Sequence, residues 1–372
     1  MRCAVPVAAL AVCLVAAGSA AAAPKRPWLW QCEQIGLETA KFQCYVRLLL
    51  QDVDASGEPA RELPRIDRRA RAADTSLEGM CHVLMHEVGR RFAREHHVTL
   101  ENLQRYVPQS NDPGCSAGFG MGLVMALGPQ LIRTEGRSAV PTCLRLATRY
   151  RSYTCLHSLG HALMRGYHEA LPLAVASCRK LGPRVAPDCA QGAFHDYWIA
   201  LRGADDTTPL KHGDRSARTL CARYAAFARG CWYRFFVENP LGPSIAGAAD
   251  IERVCRGLRA LQRSGCVAAA SLDLPDGPLT QNAICARLGA ADAVSCLLGV
   301  HVPDIAPTRR LELIQRCGRF VRAARQGCYE WYGRTLAVVT NGRFRCSLLA
   351  APGRAWCAVG KRREDDPLVT FS

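Results

Sequence analysis

The chain has 372 residues, a formal net charge of +16 and twenty cysteines. Beyond its apolar start, no segment has the unbroken apolar length needed to span a bilayer, which excludes a transmembrane anchor after leader removal. The basic balance favours anionic partners, yet no nucleic-acid-binding motif accompanies it, so no nucleic acid is expected.

Arg2 precedes the apolar run Ala4 to Ala17 and then a small-residue stretch ending at Ala23. This pattern is that of a signal peptide over residues 1–22, cut near Ala22 or Ala23. The chain is therefore expected to be exported, to a periplasm or beyond the cell. Leu10-Ala11-Val12-Cys13 approximates a lipoprotein cleavage motif, but Val12 is large for that position, and lipid anchoring is not expected. Cleavage removes Cys3 and Cys13 and leaves an even set of eighteen cysteines, the count expected of a disulfide framework in an exported chain.

Residues 23–49 read as an N-terminal helical segment. Residues 50–76 (LQDVDASGEPARELPRIDRRARAADTS) carry proline, glycine and dense charge, and read as an exposed connection. From residue 77 to 360 the cysteines recur in order. Along the whole chain the eighteen cysteines read as neighbouring pairs, Cys32/Cys44, Cys81/Cys115, Cys143/Cys155, Cys178/Cys189, Cys221/Cys231, Cys255/Cys266, Cys285/Cys296, Cys317/Cys328 and Cys346/Cys357. The later pairs return at the length of a two-helix unit. Leu171–Leu181 suits a short helix, Gly182, Pro183 and Pro187 break it, and Asp188 can cap a second helix opening at Cys189. The first cysteine then sits late on helix A and the second opens helix B, so that a disulfide staples each αα-hairpin at its turn. Each staple would contribute roughly 2–4 kcal/mol by constraining the unfolded chain. Stacking of hairpins must bury the remaining apolar surface. The fold class expected is all-α: disulfide-stapled αα-hairpin repeats forming a curved solenoid or compact helical array. The glycine-rich run AGFGMGLVMALGPQ after Cys115 reads as a closely packed buried helix, and the tail 361–372 as loose.

Seven of the ten histidines lie between His82 and His168. His82 and His86, and His157 and His161, are each four apart, which puts each pair on one helix face. His161 and His195 each follow a repeat cysteine by six residues, so stacked repeats would set them side by side. His82, His86, His157, His161 and His195 are the candidate metal ligands, and imidazole suits zinc, copper or iron. Glu87 and Asp196 follow histidines directly and point about 100° around the helix. They are candidates to orient ligands or handle protons. Tyr233, two residues after Cys231 as His157 is after Cys155, is a third candidate for the same groove. Glu330 would join them only if the solenoid closed on itself. Gly160 and Gly192 are unfavourable in isolated helices and imply close helix contact or ligand approach.

The Cys-bearing hairpins over much of residues 143–357 resemble cysteine-rich Sel1-type helical repeats in general layout. The resemblance implies stacked helical hairpins; it carries over no site residue.

Two functions fit the sequence. One is an exported metalloprotein with a transition metal on the five histidines, as a hydrolase or oxidoreductase. The other is a non-enzymatic repeat module that binds a peptide, a cell-envelope component or an anionic polymer. The sequence leaves the oligomeric state open.

Overall fold

The computed structural model describes residues 29–72, 77–108, 114–202, 214–239, 241, 244–275, 277–300, 302, 306–340 and 342–363. The expected signal peptide, most of the tail, His212 and His301 lie outside them.

Every regular element among the described residues is helical. The two N-terminal helices and those that build the stack are α1 (Glu38–Ser56), α2 (Pro59–Ala72), α3 (Leu77–Glu95), α4 (Cys115–Ala126), α5 (Arg149–Gly166), α6 (Ala186–Arg202), α7 (Ala228–Glu238), α8 (Ala260–Ala270), α9 (Ala290–Leu297), α10 (Arg322–Val339) and α11 (Gly353–Lys361). From α3 onward these helices stack in chain order. Shorter helices such as Leu171–Arg179 and Ala248–Val254 pack outside them as the first arms of the hairpins. The result is a compact helical array.

All nine expected cysteine pairs are disulfides, with Cα–Cα distances from 5.0 to 5.8 Å. The second cysteine does not open its helix as expected, except at Cys115. Cys155 lies six residues inside α5 and Cys189 three inside α6. The staple forms where the end of the first arm crosses the early turns of the second. Asp188 does not cap α6 from outside; it lies buried within the first turn and accepts a hydrogen bond from Arg149.

Residues 50–76 depart from the expected exposed connection. Residues 50–56 end α1, and residues 59–72 form α2 with Pro64 inside it. Leu63, Ile66 and Ala70 fall on one face and are buried, while Arg65, Arg68 and Arg69 face outward. Buried Asp67 accepts hydrogen bonds from the backbone N–H of Ser116, at 3.0 Å, and from its hydroxyl, which ties α2 to the start of α4. As read from the sequence, α4 is a buried helix: every residue from Cys115 to Met125 is buried.

The array also curls. Val338 near the end of α10 packs with Tyr150 and Tyr153 of α5, so distant repeats meet. Glu330 does not reach the histidines by this route. It accepts hydrogen bonds from Gln326 at 2.8 Å and Arg363 at 3.5 Å.

Candidate metal centre

Helix α5 starts where the Thr148 hydroxyl accepts the Arg151 backbone N–H at 3.2 Å, an N-cap that satisfies one free donor of the first turn. Its inner face then presents Arg149, Tyr153, His157, His161 and Arg165 at every fourth position. Helix α6 runs alongside in the same direction and answers rung by rung. Arg149 donates to Asp188 at 2.7 Å, and the Tyr153 hydroxyl donates to Gln191 Oε1 at 3.0 Å. His157 Nε2 lies 3.3 Å from His195 Nδ1, and His161 Nδ1 lies 3.1 Å from Asp196 Oδ1.

Glycine sets the spacing. A Cβ on Gly192 would come within 1.8 Å of the His157 carbonyl oxygen, and one on Gly160 within 2.0 Å of the Cys189 carbonyl oxygen. The same device serves the first histidine pair. A Cβ on Gly118 or Gly122 of α4 would strike the carbonyl oxygen of His82 or His86 on α3 at 2.1 and 2.3 Å. Close helix contact, as expected for Gly160 and Gly192, therefore explains these glycines.

The five candidate histidines converge. Nε2 of His82 and His86 are 3.1 Å apart, the His86 ring centroid is 6.0 Å from that of His161, and Nε2 of His161 is 3.1 Å from Nε2 of His157. Within the group, His157, His161 and His195 offer one ring nitrogen each within 4.8 Å of one another and could hold a metal ion. Ligand nitrogens about 2.0–2.1 Å from a tetrahedral ion lie about 3.3 Å apart, close to the 3.1 Å and 3.3 Å that separate His157 Nε2 from His161 Nε2 and His195 Nδ1. His157 and His161 are each 1% exposed, whereas the side chain of His195 is 13% exposed.

The outer ring nitrogens decide the tautomers. With Asp196 at its Nδ1, His161 carries the proton there and turns a bare Nε2 inward. Glu238 Oε1 lies 3.0 Å from His195 Nε2, so His195 turns a bare Nδ1 inward. Two lone pairs thus point at the space that His157 Nε2 also faces. The opposite nitrogen of His157, Nδ1, is buried without a hydrogen-bond partner. A cation accepted by all three inner nitrogens fits this donor set, and carboxylates already hold two of the rings as they would hold metal ligands.

Burial pushes His86, His157 and His195 well below the usual imidazole range, and the positive charge of Arg234 adds to the effect on His157 and His195. His161 is lowered by burial as well, opposed by Asp196. Burial alone would raise Asp196, but His161 and Arg165 outweigh it and hold the carboxyl below its ordinary value. These imidazoles are therefore neutral, the form that ligates metals.

Of the sequence candidates for an auxiliary role, Asp196 stands against a histidine. Glu87 is occupied by Arg91 at 2.9 Å and Arg90 at 3.4 Å. Tyr233 is buried on α7, with the Arg234 guanidinium 5.2 Å from its ring centre. The sequence reading missed Glu238 and Arg234. Glu238 follows Cys231 by seven residues, as Asp196 follows Cys189. The repeat offset thus contained a rule: the histidine at the sixth position after one cysteine meets the carboxylate at the seventh position after the next.

The chain matches no protein-family model, no curated protein and no solved structure. Its nine disulfides suit an oxidising, exported environment. No single helix among the described residues is long and apolar enough to cross a membrane.

Proposed function

We propose that this is an exported metalloprotein whose His157, His161 and His195 hold a transition ion, zinc, copper or iron, for hydrolytic or oxidative chemistry. One observation carries the reading: three imidazole nitrogens converge within 4.8 Å, two of the rings backed by carboxylates. A three-histidine set leaves a coordination position for water or substrate. A bound ion would supply Lewis acidity or a redox couple there.

The protein's own residues do the rest. Asp196 fixes the tautomer and angle of His161, and Glu238 does the same for His195. His82 and His86 extend the imidazole cluster toward α3. Asp196 and Glu238 are the carboxylates in contact with the ligand set, at 3.1 Å and 3.0 Å. Glu87 is assigned no part in the chemistry, because arginines hold it. The nine staples keep the stacked helices in register without help from the ion.

Elemental analysis of the untagged, oxidised protein tests the reading, beside an H157A/H161A variant. The expected result is near-stoichiometric zinc, copper or iron in the parent and its loss from a variant that retains helical circular dichroism. A parent that is metal-free and cannot be loaded with any of the three would remove the proposal and leave the repeat-binding module in its place.

A further inference from the structure

Arg234 is 1% exposed, yet its Nε and one terminal nitrogen have no hydrogen-bond partner. Two buried N–H-bearing nitrogens without acceptors are costly, and the Tyr233 ring 5.2 Å away supplies no hydrogen-bond acceptor of the kind they need, so an anionic acceptor is called for. The position of Arg234 says where that charge belongs. Arg234 and Glu238 are four apart on α7 and share a helix face. Glu238 touches His195. Arg234 lies one turn before Glu238 on α7, as Gln191 lies one turn before His195 on α6. The guanidinium therefore flanks the centre from α7, one turn from the carboxylate that holds His195.

Asp196 and Glu238 supply two negative charges beside the imidazoles, which a divalent ion alone would neutralise. Asp196 is also shared with Arg165, at 3.5 Å. Among the described residues no hydrogen bond joins Arg234 to a carboxylate. Resting on the metal-binding reading of the same site, we propose that the centre takes an oxyanion, a phosphate or carboxylate group held between the metal's open position and the Arg234 guanidinium. The free N–H groups of Arg234 match the forked acceptors of such a group. The ligand class is thus an anionic ester or acid rather than a neutral amide or sugar.

The test uses the full oxidised chain loaded with cobalt(II), whose visible absorption reports its ligands. Inorganic phosphate and acetate are titrated separately, with chloride as a control. A saturable spectral change with phosphate or acetate, absent with chloride, is expected; the tighter of the two shows whether phosphate or carboxylate compounds are the source. R234M should keep the cobalt stoichiometry and weaken oxyanion binding on the order of 10- to 100-fold, as expected for loss of charge-assisted hydrogen bonds. R234K, which keeps the charge but not the fork, should fall between, and it decides the matter if R234M loses its fold. Cobalt-loaded protein that ignores both oxyanions, or R234M that binds them as the parent does, would overturn the oxyanion site and leave the metal site standing. Failure to take up cobalt or any other transition ion would instead overturn the metal reading and the oxyanion site with it.

Discussion

His161 and His195 each face a carboxylate with one ring nitrogen and other imidazoles with the second. This arrangement keeps the rings neutral and oriented before any ligand arrives, and it has a consequence for stability. In the metal-free protein, His86, His157 and His195 titrate well below 6.5, while the unfolded chain takes up their protons near that value. Below pH 6.5 the unfolded state therefore binds more protons than the folded one, and stability rises with pH across that window. The stabilisation is complete above pH 6.5 and is lost progressively as the pH falls toward the depressed folded-state values. Urea midpoints of the chelator-treated protein should fall from pH 7.5 to pH 5, and a flat profile over that range would contradict the neutral-imidazole assignment. The histidines were legible because four-residue spacing is a helix-face signal in its own right. Glu238 was harder to read, since a lone glutamate after FFV carries no signal until the cysteine offset is used as a ruler. Glu87 has suitable chemistry beside His86, but Arg90, Arg91 and Arg94 follow at helical spacing and hold it.

Between helices, the decisive quantity is the distance from α5 to α6. The ladder from Arg149–Asp188 to His161–Asp196 holds only if the two backbones approach as closely as glycine allows. Gly192→Ala would place a methyl group 1.8 Å from the His157 carbonyl oxygen, where backbone must shift. The expected cost is about 2 kcal/mol or more, in the range of core overpacking. Because the shift falls on the ligand-bearing turn, metal affinity should drop roughly tenfold or more, the scale seen when ligand support is disturbed. Gly247→Ala is the control, because nothing lies within 4 Å of its added carbon. Thermal unfolding and metal competition with a chromophoric chelator would measure both effects; equal behaviour of the two variants would refute the role given to Gly192. Glycine inside a predicted helix flagged these contacts in the sequence, although not which carbonyl each would meet. The same local reading misplaced α2. Pro64 and a run of arginines masked the stripe Leu63, Ile66 and Ala70, whose burial depends on neighbours far along the chain.

Across the whole molecule, α5 serves two ends of the chain at once. Its inner face carries the centre, while Tyr150 and Tyr153 receive Val338 from α10. Whether the stack would curl this far could not be read from the sequence, because closure sums small rotations over many repeats and no single residue encodes it. Tyr153 links the two roles: its hydroxyl donates to Gln191, and its ring centre lies 5.7 Å from that of His157. Val338 is 1% exposed, so Val338→Asp would bury a carboxylate at the closing contact, at a cost of about 3 kcal/mol unless the contact opens. Opening is the cheaper response, because each hairpin keeps its own staple and its neighbouring helices. Small-angle scattering should then show a larger radius of gyration, while helical circular dichroism stays near the parent's. The metal should remain, bound less than about tenfold more weakly, since the α5–α6 ladder and Glu238 survive and only the support behind Tyr153 is lost. Loss of the metal together with the opening would mean that closure, rather than the local ladder, holds the three imidazoles in place.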